Sequence, residues 1–228
     1  MIARTIKLLI SYLLSCAVVL SLPLQTPVMV LKEPRHHVKF ENKYVRVIDA
    51  SVPKGDATLF HTHPLDNVPV AISGGKLKTE MLGQEGTYSL VATGGVSFAR
   101  AAYTHRITNI GDTDVRFIDA EVLASTGNSS DVPPPGKITG TSLVIDNERV
   151  RVYRVVLEPG EATEAHDHKL PRLSVVVLKG KAAIKSGSRK LRIEQLEPGN
   201  FRWLDRELNH SIKNVGATRI EIVDIEWK

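Results

Sequence analysis

The sequence predicts an all-β protein made of two tandem antiparallel β-barrels, preceded by an N-terminal signal or anchor segment. Three observations carry that expectation. The 228-residue chain matches itself at a fixed offset. Runs of β-branched residues recur at roughly ten-residue spacing between glycine turns. No amphipathic helix of ordinary length follows residue 33. Composition sets the outer bounds: hydrophobic residues make up 42% and charged residues 24%, the balance of a folded chain and not of a disordered or polytopic membrane one. Aromatics make up only 5%, too few for a base-stacking surface. The net charge of +5 arises from 30 basic and 25 acidic residues with no block of like charge, so no nucleic-acid partner is expected. Eight histidines stand against one cysteine, which directs any metal or catalytic chemistry to imidazole.

From the N-terminus, Arg4 and Lys7 precede an uncharged stretch from Leu8 to Leu31, with an apolar core from Leu8 to Leu22. That is the layout of a secretory signal peptide, assigned to residues 1–25. The rival reading is a membrane anchor, which Pro23, Gln25 and Pro27 disfavour. A third reading is lipidation at Cys16, since Leu13-Leu14-Ser15-Cys16 loosely resembles a lipobox. Each reading makes the protein exported: periplasmic, secreted or membrane-anchored, with membrane contact only through this segment. The rest of the chain lacks cysteine and needs no disulfide. His36 and His37 lie in a charged lead-in, Lys32-Glu-Pro-Arg-His-His, and read as a solvated tail.

An ungapped shift of 105 residues aligns Asn42–Leu123 with Asn147–Lys228. About a quarter of the positions are identical, where chance gives about one in sixteen. The matches include Asn42, Gly55, Thr58, Gly75, Gly94, Asn109 and Gly111 with Asn147, Gly160, Thr163, Gly180, Gly199, Asn214 and Gly216. This is a duplication, with one barrel over 33–124, a polar, proline-rich linker over 125–141 and a second barrel over 142–228. The linker carries a formal glycosylation sequon at Asn128. In the first copy, Val45 to Val52, Thr58 to His63, Val68 to Ile72 and Val115 to Val122 read as strands.

Six of the eight histidines fall at equivalent positions of the two copies. Side chains alternate along a strand, so His61 and His63 share a face, as do His166 and His168. If that face is the barrel interior, His105 and His210 can each complete a set of three. Three neutral imidazoles on one side of a divalent metal leave open positions for water, substrate or dioxygen. They also leave the ion its full charge, which favours small anionic chelating substrates.

The spacings Gly55-x5-His61-x-His63 and His105-x3-Asn109, repeated as Gly160-x5-His166-x-His168 and His210-x3-Asn214, resemble the two motifs of the cupin superfamily. The match covers nearly all of the chain beyond residue 41, so the sequence resembles a bicupin, and the resemblance implies that each barrel is of double-stranded β-helix (jelly-roll) type. Two departures stand out. The motif glutamate is absent, with Asn67 and Val68 at its position in the first copy and Arg172 and Leu173 in the second. The Pro-x-Gly turn of the second motif is also absent. What remains is similar to the three-histidine sets of some cupin dioxygenases.

The resemblance implies a metal-dependent oxidoreductase of dioxygenase type, with His61, His63 and His105 as one metal site and His166, His168 and His210 as a second. The divalent ion is expected to be Fe(II), ahead of Mn, Zn, Ni or Cu. The alternatives are a non-catalytic bicupin that binds a small ligand or metal, and a metal-dependent isomerase or lyase. The first copy is favoured as the working site, because Thr62, Asn67 and Tyr103 add no charge near its ligands, whereas Asp167, Lys169 and Arg172 lie near those of the second. Asp66 or Glu80 is nominated as a carboxylate beside the metal. Asp119 and Glu121, matched by Asp224 and Glu226, read as a solvated outer strand face, with pairing to Arg46 and Arg151 as the other reading. A monomer and a homodimer are both compatible with the sequence.

Overall fold

A computed structural model describes residues 25–127, 132, 134, 136–205 and 207–228. Residues 1–24, with Cys16, and the Asn128-Ser-Ser sequon lie outside the described residues. The first half carries β1 (Val28–Met29), a 3-10 turn (Val30–Lys32), β2 (His36–Glu41), β3 (Val45–Val52), β4 (His61–His63), β5 (Asn67–Ser73), β6 (Gly75–Met81), β7 (Thr87–Val91), β8 (Tyr103–Asn109) and β9 (Val115–Val122). The second half runs through β10 (Thr141–Asp146), β11 (Val150–Leu157), β12 (His166–His168), β13 (Arg172–Leu178), β14 (Gly180–Ser186), β15 (Arg192–Leu196), β16 (Phe201–Leu204), β17 (Glu207–Asn214) and β18 (Ile220–Trp227).

Each half is a two-sheet barrel. The first pairs a β2-β3-β9-β5 sheet with a β1-β4-β8-β6-β7 sheet, and the second pairs β10-β11-β18-β13-β16 with β12-β17-β14-β15. Among the described strands the pairing is antiparallel except where β1 runs parallel to β4, with Val28 opposite His61. No helix among the described residues is long and apolar enough to cross a membrane.

The non-histidine identities of the repeat fix the turns between strands. The Asn109 side chain donates to the carbonyls of Val52 and Thr113 and accepts from the Gly111 N–H. Asn214 does the same with Leu157, Thr218 and Gly216. Both asparagines are fully buried, so each satisfies backbone groups that the turn would otherwise leave unpaired. The Thr58 and Thr163 hydroxyls likewise accept from the N–H groups of Ile107 and Ile212. Gly75 and Gly180 are matched for a different reason: a Cβ at either would lie within 2.6 Å of the Val115 or 2.3 Å of the Ile220 side chain.

The main core lies between the barrels. One cluster of buried residues joins Val47, Val70, Ile118 and Val122 of the first half to Val152, Val175, Val223, Ile225 and Trp227 of the second. Aromatics continue it across the boundary, with Tyr44 stacked on Trp203 at 6.0 Å and Phe40 against Phe201 at 6.3 Å. Arginines close the rim. Arg116 binds Asp49 and reaches the Pro198 carbonyl, while Arg154 lies 3.3 Å from Glu221 and donates to the Gly94 carbonyl.

This packing corrects the expectation of a solvated acidic face. Along β9, Ile118, Ala120 and Val122 enter the inter-barrel core, so strand alternation turns Asp119 and Glu121 into the barrel. β18 behaves alike, with Val223, Ile225 and Trp227 in the core and Asp224 and Glu226 on the opposite face. All four carboxylates are buried. The pairing reading holds: Arg46 donates to Glu121 at 2.7 Å, and Arg151 lies 3.8 Å from Glu226.

Because the halves share one core, urea denaturation followed by tryptophan fluorescence is expected to give a single transition. Trp227→Ala should lower stability by about 3–5 kcal/mol without splitting that transition. Two resolved unfolding steps in the unsubstituted protein would contradict the shared core.

Candidate metal centre

Strand register brings the histidines of each copy together. His61 on β4 lies directly opposite His105 on β8, and His166 on β12 directly opposite His210 on β17. His63 and His168 follow two residues on, on the same face. In the first set the His61 Nε2 atom lies 3.1 Å from that of His63 and 3.0 Å from that of His105. In the second, the Nε2 atoms of His166 and His168 are 3.0 Å apart, and one ring nitrogen from each of His166, His168 and His210 falls within 4.8 Å of the others. Nitrogens held at about 2.1 Å from one ion at right angles would lie about 3.0 Å apart.

Protonation suits the same purpose. Nδ1 of His61 donates to the Leu59 carbonyl and Nδ1 of His166 to the Glu164 carbonyl, both at 2.8 Å. A carbonyl can only accept, so in each neutral ring the proton sits on Nδ1 and Nε2 presents a lone pair. Burial drives the imidazoles neutral: His61 is pushed down to about 4, His63 to about 2 and His105 to about 3. Burial lowers His166 as well. Lone pairs aimed at one another repel unless a cation lies between them, and a divalent ion fits both donor sets.

Carboxylates stand behind the rings, but not those nominated from sequence. Asp66 accepts from the Ala101 N–H and lies 3.3 Å from Arg149 of the other barrel, while Glu80 binds Lys78 and Arg106. Among the described residues, Asp119, Glu33 and Glu226 face imidazole. Asp119 lies 3.7 Å from His63 Nδ1, and burial pushes it up to about 6. Asn67 donates to both of its oxygens at 2.8 Å. Tyr103 then donates to Asn67 and stacks on His63 at 4.8 Å. Asn67 and Tyr103 thus support the set, as their lack of charge suggested, whereas Thr62 pairs with Thr104.

His36 requires a correction. It is not part of a solvated tail: its side chain is 7% exposed and lies 2.6 Å from the fully buried Glu33 carboxylate. One ring nitrogen from each of His36, His61 and His63 falls within 4.8 Å of the others, a grouping that leaves out His105, whose Nε2 meets that of His61 at 3.0 Å. His37 is exposed, as expected. The available signal was the Glu33-x2-His36 spacing, which places a carboxylate three residues before an imidazole. The repeat could not flag it, because the segment lies outside the duplication.

In the second barrel His168 Nδ1 lies 2.9 Å from Glu226 Oε1, the carboxylate–histidine arrangement that orients metal ligands. The Asp167 carboxylate accepts from the Asn209 N–H. His166, His210, Arg172, Ser174 and Asp224 share the wall of a cavity of about 330 Å³ with apolar residues that include Ile184 and Ile222. Arg172 is buried, with its Nε 3.6 Å from Asp224. It faces the cavity and not open solvent.

Two such barrels in one chain, each with an internal histidine set, define the bicupin fold. No protein-family model and no curated protein sequence matches the chain, but solved structures do. AerE from Microcystis aeruginosa superposes with a TM-score of 0.59 at 17% identity, over 86% of this chain and 98% of its own. Oxalate decarboxylase from Bacillus subtilis gives 0.60 at 12% identity, over 85% of this chain and 74% of its own. A cupin 2 conserved barrel domain protein from Leptotrichia buccalis gives 0.52 at 13%, over 85% and 88%. These likenesses establish the fold.

Glu226→Gln is expected to weaken metal binding at the second set about 10–100-fold, as loss of a ligand-orienting carboxylate does. Asp66→Asn should leave metal binding unchanged. Chelator competition with purified protein checks both. Equal affinities for Glu226→Gln and the unsubstituted protein would remove the carboxylate from the site.

Proposed function

We propose that the protein is a metal-dependent oxidoreductase of dioxygenase type, acting on a small anionic chelating substrate at a three-histidine divalent-metal site, with Fe(II) the first expectation. Oxalate decarboxylase from Bacillus subtilis, similar in fold, has Mn(II) centres, so manganese is the first alternative ion. The observation that carries the reading is the cavity of the second barrel, where His166 and His210 share a wall with Arg172. It supports the second barrel as the working site, in place of the first. A divalent ion on His166, His168 and His210 would supply Lewis acidity and open positions for substrate and dioxygen.

The chain's own groups supply the rest. The neutral imidazoles leave the ion's charge to attract an anion. Arg172 can hold a substrate carboxylate in bidentate fashion, while Ile184 and Ile222 keep that part of the cavity apolar. Asp224, in the same wall, supports a second reading as a metal-dependent lyase or isomerase, because it could accept a proton where the motif glutamate is absent.

Oxygen-electrode assays of metal-loaded protein over catechols, flavonols, β-diketones and thiols test the proposal. Uptake with one substrate class, abolished by His166→Ala, is expected. Arg172→Ala should raise KM about tenfold or more, the loss of a charged hydrogen bond worth about 1.5–3 kcal/mol, with a smaller change in kcat. Carbon dioxide release or isomerisation without oxygen uptake would favour the second reading. Export belongs to the proposal on the strength of the Arg4-to-Leu22 layout. A mature chain beginning near residue 26, read by N-terminal sequencing, is the expected outcome.

A further inference from the structure

The first barrel holds a donor that the second lacks. β1 is fastened alongside β4, with the Val28 N–H donating to the Phe60 carbonyl at 2.9 Å. The 3-10 turn and Glu33-Pro34-Arg35 then carry the chain from the sheet of β4 to that of β3, where β2 begins at His36 opposite Ala50. That crossing brings the His36 ring to 4.6 Å from the His61 ring and 6.2 Å from the His63 ring, centroid to centroid.

Its orientation is set from behind. Glu33 Oε2 lies 2.6 Å from both His36 Nδ1 and the Arg35 N–H, and Oε1 accepts from the Leu59 N–H at 3.2 Å. The Leu59 carbonyl receives His61 Nδ1 at 2.8 Å. One loop residue therefore fixes two imidazoles, one directly and one through Glu33. With Nδ1 of His36 donating to a carboxylate, its Nε2 is left as a lone pair. At the matching positions of the second copy stand Ile138 and Thr141, which offer neither imidazole nor carboxylate.

We propose that His36 is a fourth imidazole ligand of the first set, delivered by the lead-in segment and oriented by Glu33, so that an ion in this barrel has one position fewer for substrate than an ion in the second. The assignment rests on the metal-binding reading above. Each protein donor added to a divalent ion removes a position that water or substrate could occupy. Neither the spacing of the repeat nor the cupin-like motifs include this residue.

Full-length protein carrying His166→Ala and His168→Ala isolates the first set. Long-range proton–nitrogen correlation spectra before and after one equivalent of Zn(II) should show four imidazole nitrogens moving to metal-bound positions, from His36, His61, His63 and His105. Adding His36→Gln should leave three and weaken zinc about tenfold or more in chelator competition. Glu33→Gln should weaken it less and keep all four. Three shifted nitrogens before His36 is changed would overturn the assignment and leave the metal reading standing, a result that needs no further variant to fold. Failure of this protein to take up zinc, while the unsubstituted chain binds one equivalent, would overturn it at this set alone. Failure of the unsubstituted chain to bind any would overturn both it and the reading beneath it.

Discussion

Burial of one barrel's sheet against the other's governs the arrangement of everything else. Val47, Val70 and Ile118 meet Val152, Val175 and Val223 in a single apolar layer. The faces that a lone barrel would show to water are thereby removed from it, and more apolar residues cluster there than in either of the smaller clusters within the halves. The opposite faces of the same strands are then released from supplying the principal core. They can carry histidine, aspartate, glutamate and arginine, provided that each polar group finds a partner. Glu121 with Arg46, and Asn67 with Asp119, are such partners.

The chemistry of the site follows from hydrogen bonds made at the far side of each ring. His61 and His166 both donate through Nδ1 to the carbonyl two residues earlier, a local contact that the repeat reproduces without a matching residue type. Leu59 stands in one copy and Glu164 in the other. The backbone sets the tautomer and the strand register sets the convergence. Neither depends on which ion is bound, so the donor set is organised before metal arrives. The two barrels differ in what surrounds that set: Tyr103 and His36 crowd the first, and a cavity with Arg172 opens on the second.

Most of the architecture was legible in the sequence because duplication marks turns as clearly as ligands. β3 and β9 occupy Val45–Val52 and Val115–Val122, the same spans that β-branched periodicity picks out. β4 is shorter than expected, His61–His63 in place of Thr58 to His63. Leu59 turns its backbone groups toward Glu33 and His61 instead of a neighbouring strand. The acidic positions were misread for a more general reason. Alternation separates two faces but does not say which is solvated, and here the apolar face is the barrel exterior, covered by the other barrel. His36 was missed because its role depends on a chain crossing between sheets, which strand periodicity does not encode.

Separating stability from chemistry in this way has an evolutionary consequence. Asn67 and Arg172 occupy equivalent positions and face the equivalent aspartates Asp119 and Asp224, so a neutral amide in one copy stands where the other has a guanidinium. Such an exchange alters the electrostatics of an interior without disturbing the valine layer that holds the halves together. Each barrel can therefore drift toward its own ligand while its twin keeps the shared scaffold folded, so a duplicated gene segment could acquire two different sites within one chain.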